Sequence, residues 1–216
     1  MIRSGLPIDD ALPRIVAALR YPGHAVLTAP PGSGKTTIVP LALLEEDWVL
    51  GRILVLEPRR LATRAAARRM AALLGEDVGM TVGFTTRDER RVSPATRVEV
   101  VTEGVLTRRL QRDPSLEGTA VVIFDEVHER NLQTDLGLAL ALDVRGSLRP
   151  DLRLLAMSAT VQADRFAVLL GGDGGPSPRI DALGEPFSVD VRYVPMATPA
   201  GKPTRRGGDR DRLDTA

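Results

Sequence analysis

The chain has 216 residues, 43% of them hydrophobic, and 29 basic side chains against 28 acidic ones for a formal net charge of +1. That is enough apolar content for the core of one α/β domain, and no apolar run approaches the ~18 residues of a membrane span, so a membrane partner is not expected. Without cysteine there are no disulfides, thiolate metal sites or cysteine nucleophiles, and the near-neutral charge neither demands nor excludes a polyanionic partner.

The first twenty residues mix Asp9 and Asp10 with Pro7 and Pro13 and lack the basic start and apolar middle of a signal peptide, which places the chain in the cytoplasm by expectation. Residues 8–19 have helical spacing and are expected to form a helix. Five short apolar runs follow as strand candidates: 25–28, 52–56, 97–101, 120–124 and 152–157. Between and after them, residues 36–44, 61–74, 104–110, 132–143 and 163–170 carry apolar side chains at helical spacing. Alternating βα units with near-continuous apolar strands predict a parallel sheet with helices on both faces, and ligands at the carboxyl ends of its strands. After a turn-rich break at 171–176, residues 187–193 alternate like one more strand. Residues 1–195 are expected to form the domain, and 196–216, rich in Pro, Gly, Thr and Arg, a flexible linker.

The run Ala29-Pro30-Pro31-Gly32-Ser33-Gly34-Lys35-Thr36 follows a predicted strand and opens a predicted helix. Backbone N–H groups there can wrap phosphate oxygens at the positive end of the helix, so Pro31 to Thr37 form the expected cradle of a P-loop, with ATP and Mg²⁺ as the expected cofactors. Lys35 would reach the β and γ phosphates and Thr36 would ligate Mg²⁺. The chain otherwise uses arginine, with Lys202 its only other lysine, so a compact ammonium at position 35 is notable. Ala29 stands where the usual pattern has Gly. The plainer reading of the run is a Gly-rich turn ahead of a core helix.

The strand 120–124 ends in Asp125-Glu126-Val127-His128. In a parallel sheet this is a Walker B arrangement: Asp125 holds Mg²⁺ and Glu126 orients and deprotonates the attacking water. Acidic residues also commonly begin helices for the sake of the dipole, and the upstream P-loop strengthens the catalytic reading against that plainer one.

Asp125-Glu126-Val127-His128-Glu129-Arg130 resembles motif II of the DEAH/DExH branch of superfamily 2 nucleic-acid helicases. Pro58-Arg59-Arg60, Thr102-Glu103-Gly104 and Ser158-Ala159-Thr160 resemble motifs Ia, Ib and III in the same order, and the residues flanking Ia and Ib look most like the bacterial HrpB-type members. The resemblance covers about residues 6–195 and implies a RecA-like P-loop NTPase domain of an ATP-dependent helicase acting on single-stranded nucleic acid, with RNA favoured and DNA open. It further implies that Arg59, Arg60 and Thr102 grip the sugar-phosphate backbone, that His128, Ser158 and Thr160 couple nucleotide state to that grip, and that Arg69 stacks on the adenine. Solvated helix arginines and a capping hydroxyl cluster are the plainer readings of those residues. Phe84 replaces the usual Tyr of this family.

No Gln- and Arg-rich motif VI occurs, so the second RecA-like domain of such an enzyme is expected to be absent and this chain alone to be nearly inactive. Two other classes fit fewer residues: a nucleotide or nucleic-acid binding regulator without turnover, and a P-loop ATPase unconnected with nucleic acid.

Overall fold

In the computed structural model, residues 4–160 and 163–182 are described. The expected strand at 187–193, the linker and the boundary at 195 lie outside them. The N-terminal residues form a 3-10 turn, Pro7–Asp10, followed after Ala11 by α1, Leu12–Arg20. A continuous helix from residue 8 was expected; Pro13 has no N–H to give to a carbonyl one turn earlier, so the helix starts at its own first turn. Then come β1 (His24–Thr28), α2 (Lys35–Leu43), β2 (Arg52–Leu56), α3 (Arg60–Leu73), β3 (Val82–Thr85), β4 (Arg90–Arg91), β5 (Val98–Val101), α4 (Glu103–Arg112), β6 (Thr119–Phe124), α5 (Leu132–Ser147), β7 (Arg153–Ser158), α6 (Ala163–Gly171) and β8 (Arg179–Asp181).

The strands form one sheet in the order β4-β3-β5-β2-β6-β7-β1-β8, parallel except for the β3/β4 edge pair. Because side chains alternate across a strand, successive residues feed two separate cores. Ala25, Leu27, Ile53, Val55, Val121 and Ile123 join α1, α2 and α3 on one face. Val26, Leu54, Leu56, Val122 and Phe124 join α4, α5 and α6 on the other. This is the expected three-layer α/β architecture, and fully buried strands explain the runs of Val, Ile and Leu. Helix α3 shows the same economy: Thr63, Ala66, Ala67, Met70 and Ala71 are buried at helical spacing, and its other face is Ala, Arg and Leu, all good helix formers.

One charged group interrupts the second core. Glu99, in the middle of β5, is fully buried, held by Arg109 of α4 through both oxygens and by the Thr85 hydroxyl at 2.6 Å. Burial pushes its carboxyl up, but the Arg109 bonds outweigh that and hold it below the usual range.

Candidate functional site

The loop between β1 and α2 turns on Gly32 and Gly34, with φ of +77° and +94°. A Cβ on Gly34 would lie 2.7 Å from Leu6 Cδ1, so both backbone sign and space require glycine there. Ala29 is not among the residues at positive φ; its N–H donates to Ser158 O at 3.0 Å, so the missing glycine at the first position costs nothing in conformation. The loop feeds directly into α2, whose leading N–H groups have no partners within the helix. Lys35, its first residue, is buried, and its Nζ lies 2.9 Å from Glu126 Oε1.

Strand β6 brings motif II to the same place. The Asp125 N–H donates to Leu56 O, carrying the sheet pairing one residue beyond the strand, and the carboxylate is fully buried. Burial raises its pKa to about 6, against the Thr36 bond and the Lys35 charge, which favour the anion. The Thr36 hydroxyl donates to Asp125 Oδ2 at 2.5 Å. Glu126 adopts the left-handed conformation at φ 53°, which costs about 1–3 kcal/mol for a residue with a side chain and turns its carboxylate back toward the loop.

From Glu126 the contacts run on to the loop after β7. His128 Nδ1 is 3.3 Å from Glu126 Oε2 and 3.4 Å from the Ala159 N–H. This nitrogen can donate to the carboxylate or accept from the amide, but not both at once, so it holds one of the two neighbours at a time. The Ser158 hydroxyl, fully buried, accepts from the Thr160 N–H at 3.1 Å and lies 3.4 Å from the Thr160 hydroxyl. His128, Ser158 and Thr160 are thus one connected unit.

A cavity of about 590 Å³ opens beside the loop, bounded by Pro31, Thr36 and Thr37, by Glu126 and His128, and by Arg69 of α3. That is ample for a nucleotide. Arg59 also faces this cavity and pairs with Glu129 of motif II. Arg60 lies outside it, paired with Asp88 at 2.6 Å, and Thr102 begins α4 largely buried, its N–H on Thr85 O. The expected strand-gripping residues therefore border the expected nucleotide residues, because β5, β2 and β6 are adjacent, but only Arg59 lines the same cavity, with Arg60 and Thr102 outside it.

Sequence reasoning passed over Glu57. It ends β2 as Asp125 ends β6, is 4% exposed, and lines the cavity. Burial, and then the Asp125 charge, lift its pKa to about 7. The signal was present: a carboxylate closing an apolar strand, the same feature that singled out Asp125.

The residues fit a Mg²⁺·triphosphate. Gly32 and Gly34 at positive φ shape the turn, the buried Ser33 hydroxyl has no partner, and the Thr36 and Asp125 oxygens already converge. Thr36 and Asp125 would be protein ligands of the number Mg²⁺ commonly takes, one or two, with phosphates and water completing its shell.

The DEAD/DEAH box helicase family model matches residues 11–167. The chain belongs to that family. It is 50% identical over 193 residues, 89% of its length, to the ATP-dependent RNA helicase HrpB of Escherichia coli (strain K12), and 38% identical over 196 residues to the ATP-dependent RNA helicase DHX30 of Gallus gallus. Two crystal structures of E. coli HrpB, described as a DEAH/RHA helicase and a DExH-box NTPase, superpose with a TM-score of 0.80, at 50% and 48% identity, over 88% and 93% of this chain. The chain spans 23% of the HrpB sequence and 15% of the DHX30 sequence. This DEAD/DEAH box domain therefore has the RecA-like fold that its motif order implied. No helix among the described residues is long and apolar enough to cross a membrane.

Proposed function

We propose that this domain binds ATP with Mg²⁺ and supplies the P-loop and motif II half of an ATP-dependent RNA helicase, acting with a second RecA-like domain of the kind its much longer relatives have room for. The observation that carries the reading is the meeting of Lys35, Thr36, Asp125 and Glu126 at one loop mouth. Mg²⁺ held by Thr36 and Asp125 would neutralise charge on the phosphates.

The N–H groups of Gly32 to Thr36 and the Lys35 ammonium bind the phosphate oxygens. Glu126 holds a water in line with the γ-phosphorus and takes its proton as the new P–O bond forms and the bond to ADP breaks, leaving ADP and inorganic phosphate. Its closeness to Lys35 means that an incoming phosphate competes for the ammonium and frees the carboxylate for that work.

Arg59, Arg60 and Thr102 are the proposed contacts to the strand, by charge and backbone rather than by base edges. The ion pairs that now occupy Arg59 and Arg60 have solvent-exposed guanidinium groups and are screened by water, so each exchanges readily for a phosphate. His128, Ser158 and Thr160 form the proposed link between the two sites. Fluorescent ATP titration, followed by ATPase assays with and without single-stranded RNA over a salt series, tests the reading. An absence of nucleotide binding would sink it, and RNA affinity indifferent to salt would remove the strand-gripping part.

A further inference from the structure

The 3-10 turn ahead of α1 has no part in the mechanism above, yet it is built against the P-loop. The Ile8 N–H donates to Ser33 O at 3.2 Å. Leu6 Cδ1 and Ile8 Cγ2 close over the outer side of Gly34, 2.7 and 3.2 Å from where a Cβ would stand. The segment is fastened to itself: Asp9 accepts from the N–H groups of Ser4 and Gly5, both at 2.8 Å, and from the Ser4 hydroxyl at 2.7 Å. Gly5, at φ +73°, permits the turn.

A trans peptide holds its C=O and N–H on opposite sides. The Ser33 carbonyl and the Gly34 N–H belong to one peptide, so fixing that carbonyl on Ile8 aims the Gly34 N–H the other way, into the phosphate cradle. We infer that residues Ser4–Asp10 are a positioning clamp for the nucleotide site: Ile8 sets the direction of the Gly34 N–H, Leu6 stops the left-handed glycine from relaxing, and Asp9 locks the clamp shut. This rests on the P-loop being the nucleotide site. The clamp touches no phosphate itself, so its loss should appear as weaker binding of anything with a pyrophosphate, whatever its base.

The test is the affinity of this chain for a fluorescent ATP analogue, with inorganic pyrophosphate as competitor and thermal melting without ligand alongside. Asp9→Ala and Leu6→Ala are each expected to weaken both ligands about tenfold, the scale of one misdirected hydrogen bond to a charged group. Leu6→Met, which keeps the volume, should restore binding to within about twofold. Among the described residues the Asp9 side chain hydrogen-bonds only Ser4 and Gly5 of the clamp, so Asp9→Ala decides the matter even if Leu6→Ala fails to fold. Folded variants that bind both ligands as tightly as the parent would overturn the clamp; so would a loss for ATP without one for pyrophosphate. A parent chain that binds neither ligand would instead overturn the nucleotide site itself.

Discussion

Lys35 and Glu126, one on the P-loop and one on motif II, form an ion pair of 2.9 Å whose lysine is buried and whose carboxylate is 23% exposed. On the proposed reading, phosphate and Glu126 would compete for one ammonium. Glu126→Gln removes the competitor and the base together, so it should tighten ATP binding by about two- to tenfold while slowing hydrolysis by ~10²- to 10⁴-fold. Single-turnover hydrolysis beside equilibrium titration checks both. Weaker binding in the variant would mean that the pair holds the cradle open instead of blocking it.

Thr36 and Asp125 make the same kind of argument for the metal. The hydroxyl donates to the carboxylate at 2.5 Å, which places both oxygens where one cation could replace the shared proton contact. Removing Mg²⁺ with a chelator should weaken ATP binding to the parent chain. In Thr36→Ala the chelator should change far less, because one protein ligand is already gone, and Thr36→Ser should behave like the parent. A Thr36→Ala chain with an undiminished response to Mg²⁺ would take Thr36 out of the metal site.

Glu57 gives a pH signature. Its pKa rises from 4.5 to about 7 on folding, so the native state holds the proton more tightly than the unfolded one. The stabilisation is fully present below the unfolded value of 4.5 and is lost as pH rises through about 7. Glu57→Gln keeps the oxygen that accepts the Arg59 N–H at 3.3 Å and cannot ionise. The variant should thus be more stable than the parent above neutrality, by at most roughly 3 kcal/mol, with the difference vanishing in acid. Urea unfolding at several pH values measures this, and a gap that stays constant with pH would refute it.

The long buried elements were legible in the sequence because burial on both faces leaves a continuous apolar signature; Arg52–Leu56 was read to the residue, bounded by Gly51 and Pro58. The edges were not. Val82–Thr85 carries Gly83 in its middle, Arg90–Arg91 is two arginines, and Arg179–Asp181 is a charged tripeptide, so each is a strand only through its neighbour's pairing. At the site, the chemistry of Lys35, Thr36, Asp125 and Glu126 was legible from residue type and order. Their convergence depends on β7 lying between β6 and β1, and no spacing in the sequence reveals that. The contact of Arg59 with Glu129 and the seat of the N-terminal turn on Gly34 were hidden for the same reason.

Arg69 would separate the two ends of a nucleotide bound in the proposed way. It is exposed on α3 at the rim of the cavity, across from Pro31 and Thr37, while its neighbours Ala62, Ala65 and Ala66 present only methyl groups. A guanidinium there can lie flat on a base without reading its edge, since every base has a π face and the α3 residues that line the cavity beside it, Ala62, Ala65 and Ala66, offer no donors or acceptors. Arg69→Ala should weaken ATP and GTP equally, by about three- to tenfold for one stacking contact, and leave pyrophosphate affinity unchanged. Arg69→Lys should recover little, because an ammonium cannot stack. Competition titrations with the three ligands decide it: a loss confined to ATP would make Arg69 a reader of adenine, and a loss extending to pyrophosphate would place its guanidinium on the phosphates.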